Sequence, residues 1–109
     1  SEVQTQPVIN EKQLRAFYEI VNACTSNNIQ LILVPYPHLY KEGKSVGHTE
    51  VKTILSTLQN QKKIKVLKDE VFNLTAADFS DGTHLTFEGS CNFSKQIGIA
   101  VDALIQKSF

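Results

Sequence analysis

The segment Ile29 to Tyr36, IQLILVPY, holds four consecutive apolar residues, Leu31, Ile32, Leu33 and Val34, and therefore has no polar face. Successive side chains of a strand point to opposite sides, so a strand built from this run must be covered on both. Such strands belong to the interior of parallel α/β sheets, whose two faces carry helices.

The flanking sequence agrees. From Asn10 to about Asn27 the residues Leu14, Phe17, Tyr18, Val21 and Cys24 recur at steps of three and four, which predicts a helix with one apolar face. Asn10 can cap it, Gln13 stands at the capping-box position, and Asn27-Asn28 ends it with residues that tolerate left-handed backbone. Pro35 to Gly47 reads as a loop broken by prolines and glycines. Val51, Ile54, Leu55 and Leu58 then mark a second helix from near Thr49. Ile64 to Leu67 is a short strand. Lys62, Lys63, Lys65 and Lys68 in and around it are what an edge strand carries to repel further pairing. Strand, helix and strand form a parallel crossover, expected to be right-handed. A long polar loop, Lys68 to Thr86, leads to a closing helix, Thr86 to Lys107, on which Phe93, Ile97, Ala100, Val101, Leu104 and Ile105 are spaced for one face.

Two strands do not make a stable sheet by themselves. Residues 1–9 read as a leader or an extra strand, and Pro7 weakens them as a central one. The expectation is therefore that residues 10–109 are a C-terminal α/β segment that self-associates or pairs with a missing N-terminal segment.

Composition narrows the partners. Eleven Lys+Arg balance eleven Asp+Glu, so nothing draws the chain to phosphate backbones, and nucleic acid is not expected. The longest apolar run is far below the roughly 20 residues of a membrane span. At 109 residues the length suits one small domain. Cys24 and Cys91 fall at helical positions without CxxC spacing and read as two buried thiols. Two sequons, Asn73-Leu74-Thr75 and Asn92-Phe93-Ser94, are too common a pattern to fix a compartment.

The densest group of chemically useful residues is Ser80-Asp81-Gly82-Thr83-His84-Leu85-Thr86-Phe87-Glu88-Gly89, between the last strand and the last helix. Loops beyond strand C-terminal ends are where open α/β sheets bind ligands. An imidazole that shuttles a proton needs a fixed tautomer, and a carboxylate at Nδ1 supplies it. Asp81 precedes His84 by three residues, a spacing that a turn closed by Gly82 can bring together. Thr86 can cap the following helix. Read without further context, Asp81-Gly82 is an ordinary turn, His84 a surface histidine and Thr86 a helix cap only.

DGTHLTFEG resembles the last conserved block of SGNH (GDSL-type) hydrolases, in which an Asp and a His three residues later complete a catalytic triad. Leu85, Thr86, Glu88 and Gly89 match the residues that follow the His there. The order of helix, apolar strand, proline-containing loop, helix and short strand is similar to the family's final third. The resemblance implies the C-terminal portion of a three-layer, flavodoxin-like parallel sheet. It also implies hydrolysis or transfer of an acetyl or acyl ester of a carbohydrate or lipid, without metal or cofactor. His84 would be the general base, with Asp81 orienting it. The family's Gly-Asp-Ser block, with the nucleophile, has no counterpart here, nor have its oxyanion-hole Gly and Asn. None of Ser1, Ser26, Ser45, Ser56, Ser80, Ser90, Ser94 or Ser108 has a strand-to-turn setting. The isolated chain is thus expected to be inactive. The alternative is a non-catalytic α/β binding module of SGNH-derived or flavodoxin-like fold. His38, after Pro35-Tyr36-Pro37, is a candidate substrate contact. His48-Thr49-Glu50 together with His84 lacks the spacing of a metal site.

Overall fold

The computed structural model describes residues 10–39 and 48–106, with His48 described by its backbone alone. Among these described residues the architecture is mixed α/β, with three helices and a two-stranded parallel sheet. The order is α1 (Glu11–Ser26), β1 (Leu31–Leu33), α2 (His48–Asn60), β2 (Ile64–Val66) and α3 (Phe87–Gln106), with short 3-10 turns at Asp69–Val71 and Ala76–Asp78 before α3. The chain folds as two compact units. One takes in α1, β1, α2 and β2; the other takes in Val34 to Leu39 and Leu67 onward through α3.

In the first unit, α1 starts where Asn10 Oδ1 accepts the backbone N–H groups of Lys12 (2.9 Å) and Gln13 (3.1 Å), two donors with no partner inside the helix. It ends at Asn28, whose φ of 57° lets the Ile29 N–H return to the Cys24 carbonyl at 2.8 Å. The end of α2 repeats this closure with Lys62 at φ 60° and the Lys63 N–H on the Leu58 carbonyl at 2.9 Å. Lysine has no local compensation for the left-handed conformation, which costs a residue with a Cβ about 1–2 kcal/mol.

The strands pair in parallel register, Leu31 with Ile64, Ile32 with Lys65 and Leu33 with Val66. Val21, Leu58 and Ile64 are buried together, with Phe17, Leu31, Leu33, Ile54, Leu55 and Val66 packed around them. The helix-face residues read from periodicity thus divide: Val21 and Leu58 reach the core, while Tyr18 and Val51 stay exposed.

Two expectations need correction. The strand drawn over Ile29 to Tyr36 is confined to Leu31–Leu33, and all three of its residues are only half-buried. Ile29, Val34 and Tyr36 are exposed. The apolar run forms the strand as expected, but pairing extends only as far as the short β2 can match it. The cysteines are not two buried thiols: Cys24 is half-buried and Cys91 is exposed, both with free thiols. The extra strand weighed for residues 1–9, residues 40–47 of the proline-glycine loop, and the side chain of His48 lie outside the described residues.

In the second unit, Phe72 packs against Phe93 of α3 with ring centroids 5.0 Å apart. Asn73 and Gln96 form a reciprocal pair: Gln96 Oε1 accepts the Asn73 N–H at 2.7 Å, and Gln96 Nε2 donates to the Asn73 carbonyl at 3.0 Å. The stretch read as one polar loop is therefore fastened to the last helix. No helix among the described residues is long and apolar enough to cross a membrane.

Candidate functional site

The turn that carries Asp81 and His84 is built upward from Asp78. The Asp78 carbonyl accepts the Thr86 N–H at 2.8 Å and the Thr86 hydroxyl at 3.3 Å, which closes the base of a loop. One step out, Phe79 and Leu85 form an antiparallel bridge. The next rung is the His84 carbonyl, which accepts the Ser80 N–H at 2.8 Å and the Ser80 hydroxyl at 3.2 Å. Asp81 to His84 form the tip.

At the tip the Asp81 carboxylate is fixed by the backbone before it meets the imidazole. Oδ1 accepts the N–H of Thr83 at 2.9 Å and that of His84 at 2.7 Å, an Asx-type turn. His84 Nδ1 then lies 2.9 Å from both Asp81 Oδ1 and Oδ2. The Thr83 hydroxyl stands 3.2 Å from the same nitrogen. The Thr83 and His84 N–H groups, followed by the His84 side chain, hold the Asp81 carboxyl below the ordinary carboxylate range. With a carboxylate on Nδ1, the proton belongs on Nδ1, and Nε2 is left as the nitrogen that can take up or release another. Both side chains face water, at 72% exposure for His84 and 58% for Asp81.

Thr86 performs the expected capping. Its hydroxyl accepts the Gly89 N–H at 2.9 Å, and its carbonyl accepts the Ser90 N–H at 2.8 Å, so the cap of α3 lies two residues beyond His84. Gly89 is the point where α3 touches the base of the loop. A Cβ there would lie 1.9 Å from the Asp78 carbonyl oxygen and within 3 Å of two more Asp78 backbone atoms, so only glycine fits.

His38 is exposed, beside Tyr36 at 5.8 Å between ring centroids. The segment carrying it is tied to the turn by the N–H of Leu39, which donates to the Gly82 carbonyl at 3.0 Å. The structure therefore brings Asp81 and His84 into direct contact and anchors the residue after His38 to the glycine between them.

Sequence reading passed over Asp78 and Asn92. The Asp78 carboxylate is buried; Oδ2 accepts the Thr75 N–H at 2.8 Å and Oδ1 accepts Asn92 Nδ2 at 2.8 Å. These two donors, the Thr75 N–H first, hold its carboxyl below the ordinary range against the opposing pull of burial. A signal for it does exist in the chain: Thr75-Ala76-Ala77-Asp78 has the capping-box pattern of a hydroxyl residue with an acid three places on. Asn92, read only as part of a sequon, has no local signal, because its partner lies fourteen residues away.

Compared with protein families, characterised proteins and solved structures, the chain matches none.

Proposed function

We propose that Asp81 and His84 are the orienting carboxylate and the proton-transfer base of an SGNH-type ester hydrolase or acyltransferase. In this reading the chain is the C-terminal portion of a three-layer, flavodoxin-like domain, and the serine nucleophile comes from sequence outside these 109 residues. The supporting observation is the fixed contact of His84 Nδ1 with both oxygens of a carboxylate that two backbone N–H groups already hold in place.

The chemistry follows from that contact. His84 Nε2 takes the hydroxyl proton as the serine oxygen bonds to the ester carbonyl carbon. Asp81 remains ionised and stabilises the imidazolium. The imidazolium then returns the proton to the leaving alkoxide as the carbon–oxygen bond of the ester breaks. A water, or an acceptor hydroxyl in a transferase, gives its proton to Nε2 while attacking the acyl-serine, and the imidazolium passes that proton to the serine oxygen as its bond to the acyl carbon breaks. The substrate class is an acetyl or acyl ester of a carbohydrate or lipid. His38 is proposed to contact it, since its segment is anchored to Gly82.

The same reading accounts for the thin core. In the two-stranded unit the buried apolar side chains among the described residues are Val21, Leu58 and Ile64, each contributing about 1.5–3 kcal/mol. Ordering a backbone costs about 1–2 kcal/mol per residue, so a two-stranded unit gains from a further strand. That strand would come from a missing N-terminal segment or a second copy.

One observation favours the alternative of a non-catalytic module. Both side chains are solvated, and Asp81 Oδ1 with the Thr83 and His84 N–H groups is a turn found without any catalytic role. Aryl acetate hydrolysis and fluorophosphonate labelling of the parent protein separate the two. As a triad pair, His84→Ala lowers kcat by about 10³–10⁶ and Asp81→Asn by up to about 10⁴, with the melting temperature nearly unchanged. Activity that merely follows the folded fraction would refute the catalytic role. Labelling of the isolated 109-residue chain would refute a nucleophile supplied from outside it.

A further inference from the structure

We propose that Asp78 and Asn92 are positioning residues, a brace that holds the Asp81–His84 contact by locking the base of their loop to α3. The inference rests on the proton-transfer reading of that pair and assigns a task to two residues outside it.

The loop from Asp78 to Thr86 has a fixed base and an exposed tip. Its tip geometry depends on the rungs at Thr86–Asp78, Phe79–Leu85 and Ser80–His84, because among the described residues no buried side chain holds His84 itself. Asp78 joins all of the parts that define the base. Its carbonyl takes Thr86, its Oδ2 takes the Thr75 N–H, and its Oδ1 takes Asn92 Nδ2 from the second turn of α3. Its backbone is also the surface on which Gly89 rests. The Asp78 side chain thereby fixes the rotation of α3 about its own axis relative to the loop. Thr86, the last residue of the loop, is also the cap of α3. A change in how α3 sits on Asp78 passes through Thr86 and Leu85 to His84.

Burial gives the arrangement its rigidity. A carboxylate taken from water must have its lone pairs filled. Asp78 meets this with one backbone and one side-chain donor at 2.8 Å each, and the Thr75 hydroxyl at 3.4 Å. Removing Asn92 would leave Oδ1 to be satisfied by water entering at the α3 contact.

Asn92→Ala is the informative substitution, since alanine is the better helix former and Asn92 is exposed apart from this bond. The helical circular dichroism of the chain should be retained. The readout is the ¹⁵N shifts of the His84 imidazole, which report the nitrogen that carries the proton. In the unsubstituted chain the neutral ring should hold it predominantly on Nδ1. In Asn92→Ala, and in Thr86→Val as a second variant, the ratio of Nδ1–H to Nε2–H should fall several-fold, while Thr86→Ser keeps it. In the complete protein the Asn92→Ala variant should lose about tenfold in kcat with KM little changed. Unaltered imidazole shifts in Asn92→Ala, with helix retained, would overturn the brace whatever Thr86→Val shows. Altered shifts in a parent protein that has no esterase activity would keep the brace and overturn the proposed function instead.

Discussion

α3 contains two glycines whose replacement by alanine should have opposite effects. At Gly98 an added Cβ meets nothing within 4 Å, so the change gains only helix propensity, about 0.8–1 kcal/mol. At Gly89 the same gain is set against a Cβ placed 1.9 Å from the Asp78 carbonyl oxygen, 2.7 Å from its carbonyl carbon and 2.9 Å from its Cα. All three are backbone atoms, so no side-chain rotation relieves the overlap and α3 must move off the loop. Overpacking of this kind costs about 1–3 kcal/mol and sometimes more, and a clash of Cβ with fixed backbone belongs at the upper end. After subtracting the propensity gain, Gly89→Ala should destabilise by about 2 kcal/mol, whereas Gly98→Ala should stabilise by nearly 1 kcal/mol. In a domain of this size that corresponds to a melting point lowered by about 8–16 °C in the first case and raised by several degrees in the second. Urea unfolding followed by far-ultraviolet circular dichroism measures both. A neutral or stabilising Gly89→Ala would refute the close approach of α3 to Asp78, and with it the closed base of the loop.

Two further outcomes follow from local structure. Lys62 closes α2 at φ 60°, so Lys62→Gly should stabilise by about 1 kcal/mol in the same unfolding measurement. Asp78 and Asp81 both have carboxyl pKa values held below the ordinary value in the fold, so below about pH 4 the unfolded chain binds more protons than the folded one. Their stabilisation should be fully present above about pH 5 and lost as pH falls through the folded values. Urea midpoints measured from pH 7 down to pH 2 should show this acid limb, and the limb should shrink in Asp78→Asn.

The parts of the chain that were legible in sequence were those governed by neighbours along the chain. Helix periodicity, the Asn10 cap, the Asn28 reversal, the Thr86 cap and the three-residue spacing of Asp81 and His84 all depend on contacts within five residues. Strand length was less legible: IQLILVPY is uniformly apolar, but the number of residues that pair is decided by β2, more than thirty residues later. Cys91 was misread for a related reason, since a small side chain on a helix carries no strong sign of which way it faces. Gly89 was identified by position only; its physical cause, contact with the Asp78 backbone, required the fold.

Asp78 and Asp81 show how one residue type takes two tasks within a single turn of chain. Asp78 accepts one backbone N–H and Asp81 two, each also meets a side-chain partner, and each has its carboxyl held below the ordinary range. What differs is the partner and the water. Asp78 is buried and its side-chain partner is an amide, a donor that does not titrate near neutral pH, so the contact can only hold structure. Asp81 is exposed and its partner is an imidazole, whose second nitrogen stays available while the first is held. The loop between them converts the rigidity of the first contact into the orientation of the second. In the proposed reaction, the buried aspartate should therefore matter through kcat and the state of the imidazole, even though it touches neither substrate nor His84.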